Sequence, residues 1–175
     1  SLSSPSPALA IAEKPFSPPF KEPSSNNLYI ALDSIKDPGN LGTILRVCEW
    51  FGVRSLYLSY NCVDLYNPKV VNSAMGSLFR VNTFIIELEE LIKMAKKEVE
   101  VFGAFTEGES IYSCNLPKGG LVVMGSESHG ISLELSHLIE RRLTIPSFDS
   151  SKNIDSLNVA TATAVICSHF RAPFA

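Results

Sequence analysis

From Leu28 onward short apolar runs alternate with longer amphipathic ones, and this alternation limits the fold more than any other feature of the chain. "LYIAL" reads as a buried strand, "NLGTILRVCEWFG" as a helix closed by Gly52, and "SLYLS" as a second strand. A helical "PKVVNSAMG", a strand around "VNTFII", a charged helix "LEELIKMAKKE" and a strand "VEVFGAF" follow. The scheme closes with strand "GLVVM", helix "SLELSHLI", strand "LTI" and a long helix from Ser156 toward Phe170. Strands without a polar face, separated by stretches long enough for a helix, belong in a parallel sheet covered on both sides. The expected fold class is therefore α/β, a mainly parallel sheet flanked by helices. A chain of 175 residues suffices for one such domain with its own core. Residues 1–27 differ in kind. They are rich in Pro and Ser and aperiodic, and read as a linker or the remnant of an N-terminal domain.

The net charge of -3 supplies no broad basic field, so a nucleic-acid partner must be met by a local patch or by another domain. No apolar run approaches membrane-spanning length and the first residues lack the charged start of a signal peptide, which predicts a cytoplasmic protein. Cys48, Cys62, Cys114 and Cys167 stand far apart in mostly apolar contexts. That spacing favours reduced core thiols over disulfides and predicts no metal site.

Parallel α/β sheets bind ligands in the loops beyond the carboxyl ends of their strands. Three such loops are unusual here: "DPGNLGTILR" at 37–46, "MGSESHG" at 124–130, and the run from Ile145 and Pro146 through "SFDSSKNID" to "SLNVATATAV". Each has a local explanation. Asn40 and Ser156 are good helix caps, "GSESHG" makes a tight strand-to-helix connection, and small residues allow close helix packing. Arg46 on a helix is ordinarily a surface salt-bridge partner.

In combination and in this order, the loops resemble the three signature motifs of the SpoU branch of the SPOUT superfamily, RNA ribose 2'-O-methyltransferases that use S-adenosylmethionine. The first motif, D-P-x-N-x-G-x-x-x-R, stands here as Asp37, Pro38, Asn40, Gly42 and Arg46. The second, an apolar strand followed by G-x-E-x-x-G, is "LVVMGSESHG" with Gly125, Glu127 and Gly130. The third is Ile145 and Pro146 followed by Ser156, Leu157, Asn158 and Val159.

The resemblance implies a C-terminal trefoil knot, which general topology rules would not predict. It also implies a homodimer in which Arg46 reaches the cofactor of the partner subunit, ribosomal or transfer RNA as substrate, and residues 28–175 as the catalytic domain. Many members carry a small N-terminal RNA-binding domain, and residues 1–27 then read as the tail that follows one. Methyl transfer to a ribose hydroxyl needs donor and acceptor fixed at near-attack distance, and the hydroxyl must shed its proton as the bond forms. Arginine stays protonated at any workable pH, so Arg46 is expected to clamp an RNA phosphate and stabilise developing oxygen charge, with a literal base role left open. By the same resemblance Asn40 holds the active-site loop or the hydroxyl, Glu127 orients its neighbours, and Ser156 and Asn158 open a helix whose free amides suit a polar ligand. The cofactor is read mainly through backbone groups around Thr106, Gly125, Gly130, Ile145, Leu157 and Asn158. His129 is expected to be incidental.

Three departures stand out. Ser128 replaces a common Gly, which costs about 1 kcal/mol if the position is left-handed. The loop between Pro146 and Ser156 is longer than the commonest form, and Asn72 stands where many relatives carry a basic or longer polar residue. Two other readings are a catalytically inactive knotted RNA-binding or assembly module and a nucleotide-binding α/β enzyme. The first predicts loss of Arg46, Asn40 or "SLN", and all are present. The second requires a glycine-rich phosphate motif after a strand, and neither G-x-G-x-x-G nor G-x-x-x-x-G-K-[ST] occurs.

Overall fold

Fully apolar strands need cover on both faces, and the chain supplies it with helices on either side of one sheet. The computed structural model describes residues 22–149 and 155–174, together with residues 11, 13, 14, 19 and 20. Among them are the strands β1 (Leu28–Leu32), β2 (Ser55–Leu58), β3 (Asn82–Ile85), β4 (Val101–Ser110), β5 (Gly120–Met124) and β6 (Arg141–Thr144). They form one sheet in the order β3-β2-β1-β5-β4-β6 with every pair parallel. The helices are α1 (Pro38–Trp50), α2 (Pro68–Ala74), α3 (Leu88–Ala95), α4 (Leu133–Leu138) and α5 (Val159–Arg171).

β1 is buried along its whole length, and its side chains divide between two cores. Leu28, Ile30 and Leu32 pack with residues of α1, α2 and α5, whereas Tyr29 and Ala31 pack with residues of α3 and α4. The strand order runs outward from β1 to β3 and then resumes on the other side of β1, so it reverses between β1 and β5. The helix after β1 goes to one face and the helix after β5 to the other. Such a point opens a crevice at the carboxyl ends of its two strands.

Helix α1 starts differently from the expectation. Asp37, not Asn40, is the N-cap: its Oδ1 accepts the amide of Asn40 at 2.8 Å, and Pro38 follows in the first turn. The reason is register. Asp37 holds the extended conformation a cap needs, while Asn40 already lies inside the helix. The helix ends at Gly52, whose φ of 69° lets the Gly52 amide reach Glu49 O at 3.2 Å and the Val53 amide reach Cys48 O at 2.8 Å. Gly42 serves packing. A Cβ there would overlap Ser73 Oγ and stand 2.8 Å from Ala74 N, because α2 crosses α1 at that point.

The final helix also starts later than expected. Asn158, not Ser156, caps α5, its Oδ1 accepting the amides of Ala160 at 2.9 Å and Thr161 at 3.3 Å. Ser156 is two residues too early for its oxygen to meet those amides, and it remains exposed on the incoming loop. β4 is longer than the sequence indicated. Its pairing with β6 runs through Ala104, skips residues 105–108, and resumes at Glu109.

Ahead of β1, Phe20 packs edge-on against Tyr57 and Phe84, Pro23 is buried, and Asn27 O accepts the amide of Gly120. Residues 1–10, 12, 15–18 and 21 of the Pro/Ser-rich tract and the centre of the long loop after β6 (residues 150–154) lie outside the described residues. All four cysteines are free. Burial pushes the Cys167 thiol up to about 12 and raises that of Cys48 as well.

Two stability predictions arise here. Gly42→Ala should cost about 1–3 kcal/mol by forcing α1 and α2 apart, read as a lower urea midpoint. The raised Cys167 value means its stabilising contribution is complete below the ordinary thiol value of 9.0 and is lost as pH climbs toward about 12. Urea midpoints should therefore fall between pH 8 and pH 11, and less steeply in Cys167→Ala.

Candidate active site

Sheet order alone brings three loops together. β5, β4 and β6 are neighbours, so the loop bearing Gly125 and Gly130, the excursion bearing Thr106 and the segment starting at Ile145 leave one edge of the sheet side by side. β1 lies next to β5, which sets the start of α1 beside the loop of Glu127.

The junction of these loops is a directed chain of side-chain hydrogen bonds. Asn158 Oδ1 is occupied by the two amides it caps, so its Nδ2 points outward and donates to Asn40 Oδ1 at 2.9 Å. With its oxygen thus engaged, Asn40 donates through Nδ2 to Glu127 Oε1. Each amide has one donor end and one acceptor end, so the cap on α5 fixes the orientation of both asparagines and ends the chain on a carboxylate. The three residues come from three separate motifs, Asn158 and Glu127 lying 118 and 87 positions after Asn40 in the chain.

The Glu127 loop is tight. Ser126 and Gly130 exchange backbone hydrogen bonds at 3.0 and 2.9 Å, with Gly130 at φ 68°. A Cβ on Gly125 would collide with Gly130 C and Ile131 N, so the room created by that glycine is filled by the chain's own return. Ser128 has no positive φ; among the described residues only Ser34 and Met75 do so outside glycine, and the replacement of Gly by Ser carries no backbone penalty. The Ser128 hydroxyl lies 2.7 Å from His129 Nδ1, and both residues face solvent.

The excursion of β4 is pinned as well. Thr144 Oγ1 donates to Thr106 O at 3.0 Å, and the Arg142 guanidinium lies 3.7 Å from the centre of the Phe105 ring. Ile145 is half-buried, and Leu157, 48% exposed, makes no main-chain hydrogen bond among the described residues.

Arg46 is not part of this junction. It lies six positions beyond Asn40 on the helix, about 9 Å along the axis and a third of a turn around it. It is exposed and has no hydrogen-bond or ion-pair partner among the described residues. It shares its face of α1 with Thr43 and with Trp50, which is 84% exposed. Ser156 is likewise exposed and makes no hydrogen bond among the described residues. A shallow cavity of about 410 Å³ on the flank of α5, lined by Tyr112, Ala164, Val165, Ser168, His169 and Ala172, includes none of the expected site residues. Asp33, at the end of β1, was not expected as a site residue. It is a buried carboxylate that contacts the Glu127 loop, and a carboxylate closing an apolar strand was its sequence signal.

Residues 27–168 match the model of the SpoU rRNA Methylase family. The chain belongs to that family. A 23S rRNA guanosine 2'-O-methyltransferase of Bacillus subtilis is 29% identical over 145 residues, covering 81% of this chain and 57% of the relative. Among solved structures, a TrmH-family protein of Porphyromonas gingivalis superposes with a TM-score of 0.80 at 40% identity, over 89% of this chain and 63% of that one. An rRNA methyltransferase of Sinorhizobium meliloti with AdoMet bound gives 0.79 at 27% identity, over 89% and 59%. The chain spans about half the length of the curated relatives it matches.

This SpoU domain thus assembles its second and third motifs around the asparagine of the first. Asn158→Ala should cost about 1 kcal/mol through the lost cap alone. A double-mutant cycle with Asn40→Ala should return a further coupling of about 0.5–1.5 kcal/mol, measured by urea denaturation.

Proposed function

We propose that the chain catalyses S-adenosylmethionine-dependent methyl transfer to a ribose 2'-hydroxyl of ribosomal or transfer RNA. The observation that carries this reading is the Asn158–Asn40–Glu127 chain, which makes one site of three motif loops. The B. subtilis relative is named for the same reaction, and the S. meliloti neighbour holds AdoMet.

The donor set suits this cofactor. Main-chain groups at the carboxyl ends of three adjacent strands, with the open amide of Leu157, offer hydrogen-bonding partners for the polar atoms of this cofactor. Gly125, Gly130, Ile145, Leu157, Asn158 and the Thr106 segment would hold it, and when bound it supplies an electrophilic methyl group. The polypeptide's own task is orientation. Glu127 anchors the Asn40 amide, whose second Nδ2 hydrogen remains available to a ribose oxygen. Ser156 lines the entry to α5. Arg46, protonated and unpartnered, binds a phosphate and stabilises the developing oxyanion.

The distance of Arg46 from the junction of its own subunit favours a homodimer in which it serves the neighbouring site, and the exposed α1 stripe with Trp50 supplies an apolar contact. The trefoil knot belongs to the same reading: β6 adds outside β4, yet the segment after it returns to Asn40 above β1 and β5. Residues 28–175 act as the catalytic domain, residues 1–27 as its linker, and the location is cytoplasmic. Among the described residues no helix is long and apolar enough to cross a membrane, and no cluster could hold a metal ion.

The test is calorimetry with S-adenosylmethionine combined with methyl incorporation into RNA and into RNA carrying a 2'-deoxy target. Binding with incorporation only into the ribose form is expected; absence of binding would leave an inactive module. Arg46→Ala should abolish methylation with cofactor affinity within about twofold of wild type, since it removes a contact made only to RNA. Mixing Arg46→Ala with Asn158→Ala should restore part of the activity through heterodimers. No restoration would exclude a shared site.

A further inference from the structure

Asp33 directly follows β1, is only 5% exposed and has no cationic partner among the described residues. Burying an uncompensated carboxylate is costly unless each oxygen is hydrogen-bonded, and both are. Oδ1 accepts the Ser34 hydroxyl at 2.9 Å, and Oδ2 accepts the main-chain amide of Ser132 at 2.8 Å, 99 positions away. The amide of Asp33 itself donates to Met124 O at 2.8 Å.

Those contacts have a common target. Met124 is the last residue before the Glu127 loop, and Ser132, the N-cap of α4, is the first after it. Ser132 makes no side-chain cap bond, so that end of the loop depends on a group outside α4. The neighbouring backbone bears the strain of the arrangement. Ser34 sits at φ 59°, a conformation serine rarely adopts, and is held by its hydroxyl bond to Asp33 and by donation of its amide to Ser59 Oγ at 2.9 Å. Strain of this kind persists only where surrounding contacts over-determine it.

We infer that Asp33 is a positioning residue: its main chain and its carboxylate clamp the two ends of the loop from Gly125 to Ile131, and so hold Glu127 against Asn40. The inference rests on the methyltransferase reading for its effect on turnover, though not for its effect on the loop. A carboxylate suits the position because both groups facing it are donors. Asparagine can retain the Ser132 contact through Oδ1, because the Ser34 hydroxyl can turn and accept from the new amide. Alanine can retain neither contact.

The experiment compares Asp33→Ala and Asp33→Asn with wild type by kcat and KM for RNA methylation, S-adenosylmethionine affinity, thermal midpoint, and amide exchange. In Asp33→Ala, exchange at Ser126, Gly130 and Ser132 should accelerate while Leu56 and Leu58 of β2 stay protected. Its kcat should fall roughly tenfold to a hundredfold, the effect of an ångström-scale displacement, with KM for RNA little changed. Asp33→Asn should recover most of both. Unchanged loop exchange in Asp33→Ala would overturn the clamp, as would equal losses in both variants that follow a general drop in thermal stability. If wild type neither binds the cofactor nor methylates RNA, the functional reading fails, and loop exchange still decides the clamp.

Discussion

The hydrogen bond from Asn158 to Asn40 is the contact on which the site depends. It joins the entry of the last helix to the entry of the first, at the point where the strand order reverses. Its direction is imposed from behind. The free amides at the start of α5 take the Asn158 oxygen, which leaves a donor for Asn40, which in turn presents a donor to Glu127. A helix end that must be capped in any case thereby sets the polarity of a three-residue relay.

Glu127 gains from this arrangement. The fixed donor from Asn40 makes its carboxylate a structural acceptor. The junction thus consists of two neutral amides ending on this carboxylate, and Arg46 stands exposed on a separate face of α1. Orientation and charge are thus assigned to different groups. This division suits the methyl transfer proposed above, whose main requirement is alignment.

Glycines in the motifs act chiefly on packing within the protein. Gly42 admits α2 against α1, and Gly125 admits the returning chain of its own loop. Asp33 contributes to the same end from beneath, with its buried carboxylate reaching the far side of the Glu127 loop.

Much of this was legible in the sequence. The strand and helix alternation follows from local periodicity and fixed the α/β class, and the loops carrying Asn40, Glu127 and Asn158 announced themselves by residues with little other use. Caps were misassigned at Asn40 and Ser156, because a capping residue is chosen by the register of the whole helix among several competent neighbours. The excursion of β4 at residues 105–108 left no local signal, since it answers to its partner strand β6. The role of Asp33 depends on a residue 99 positions away. The sequence by itself determined which segments are strands, which are helices and which loops carry the motif residues, because these depend on neighbours a few residues distant. Only the tertiary structure decided which side chain bonds to which, because strand order alone sets the distances between loops remote in the chain.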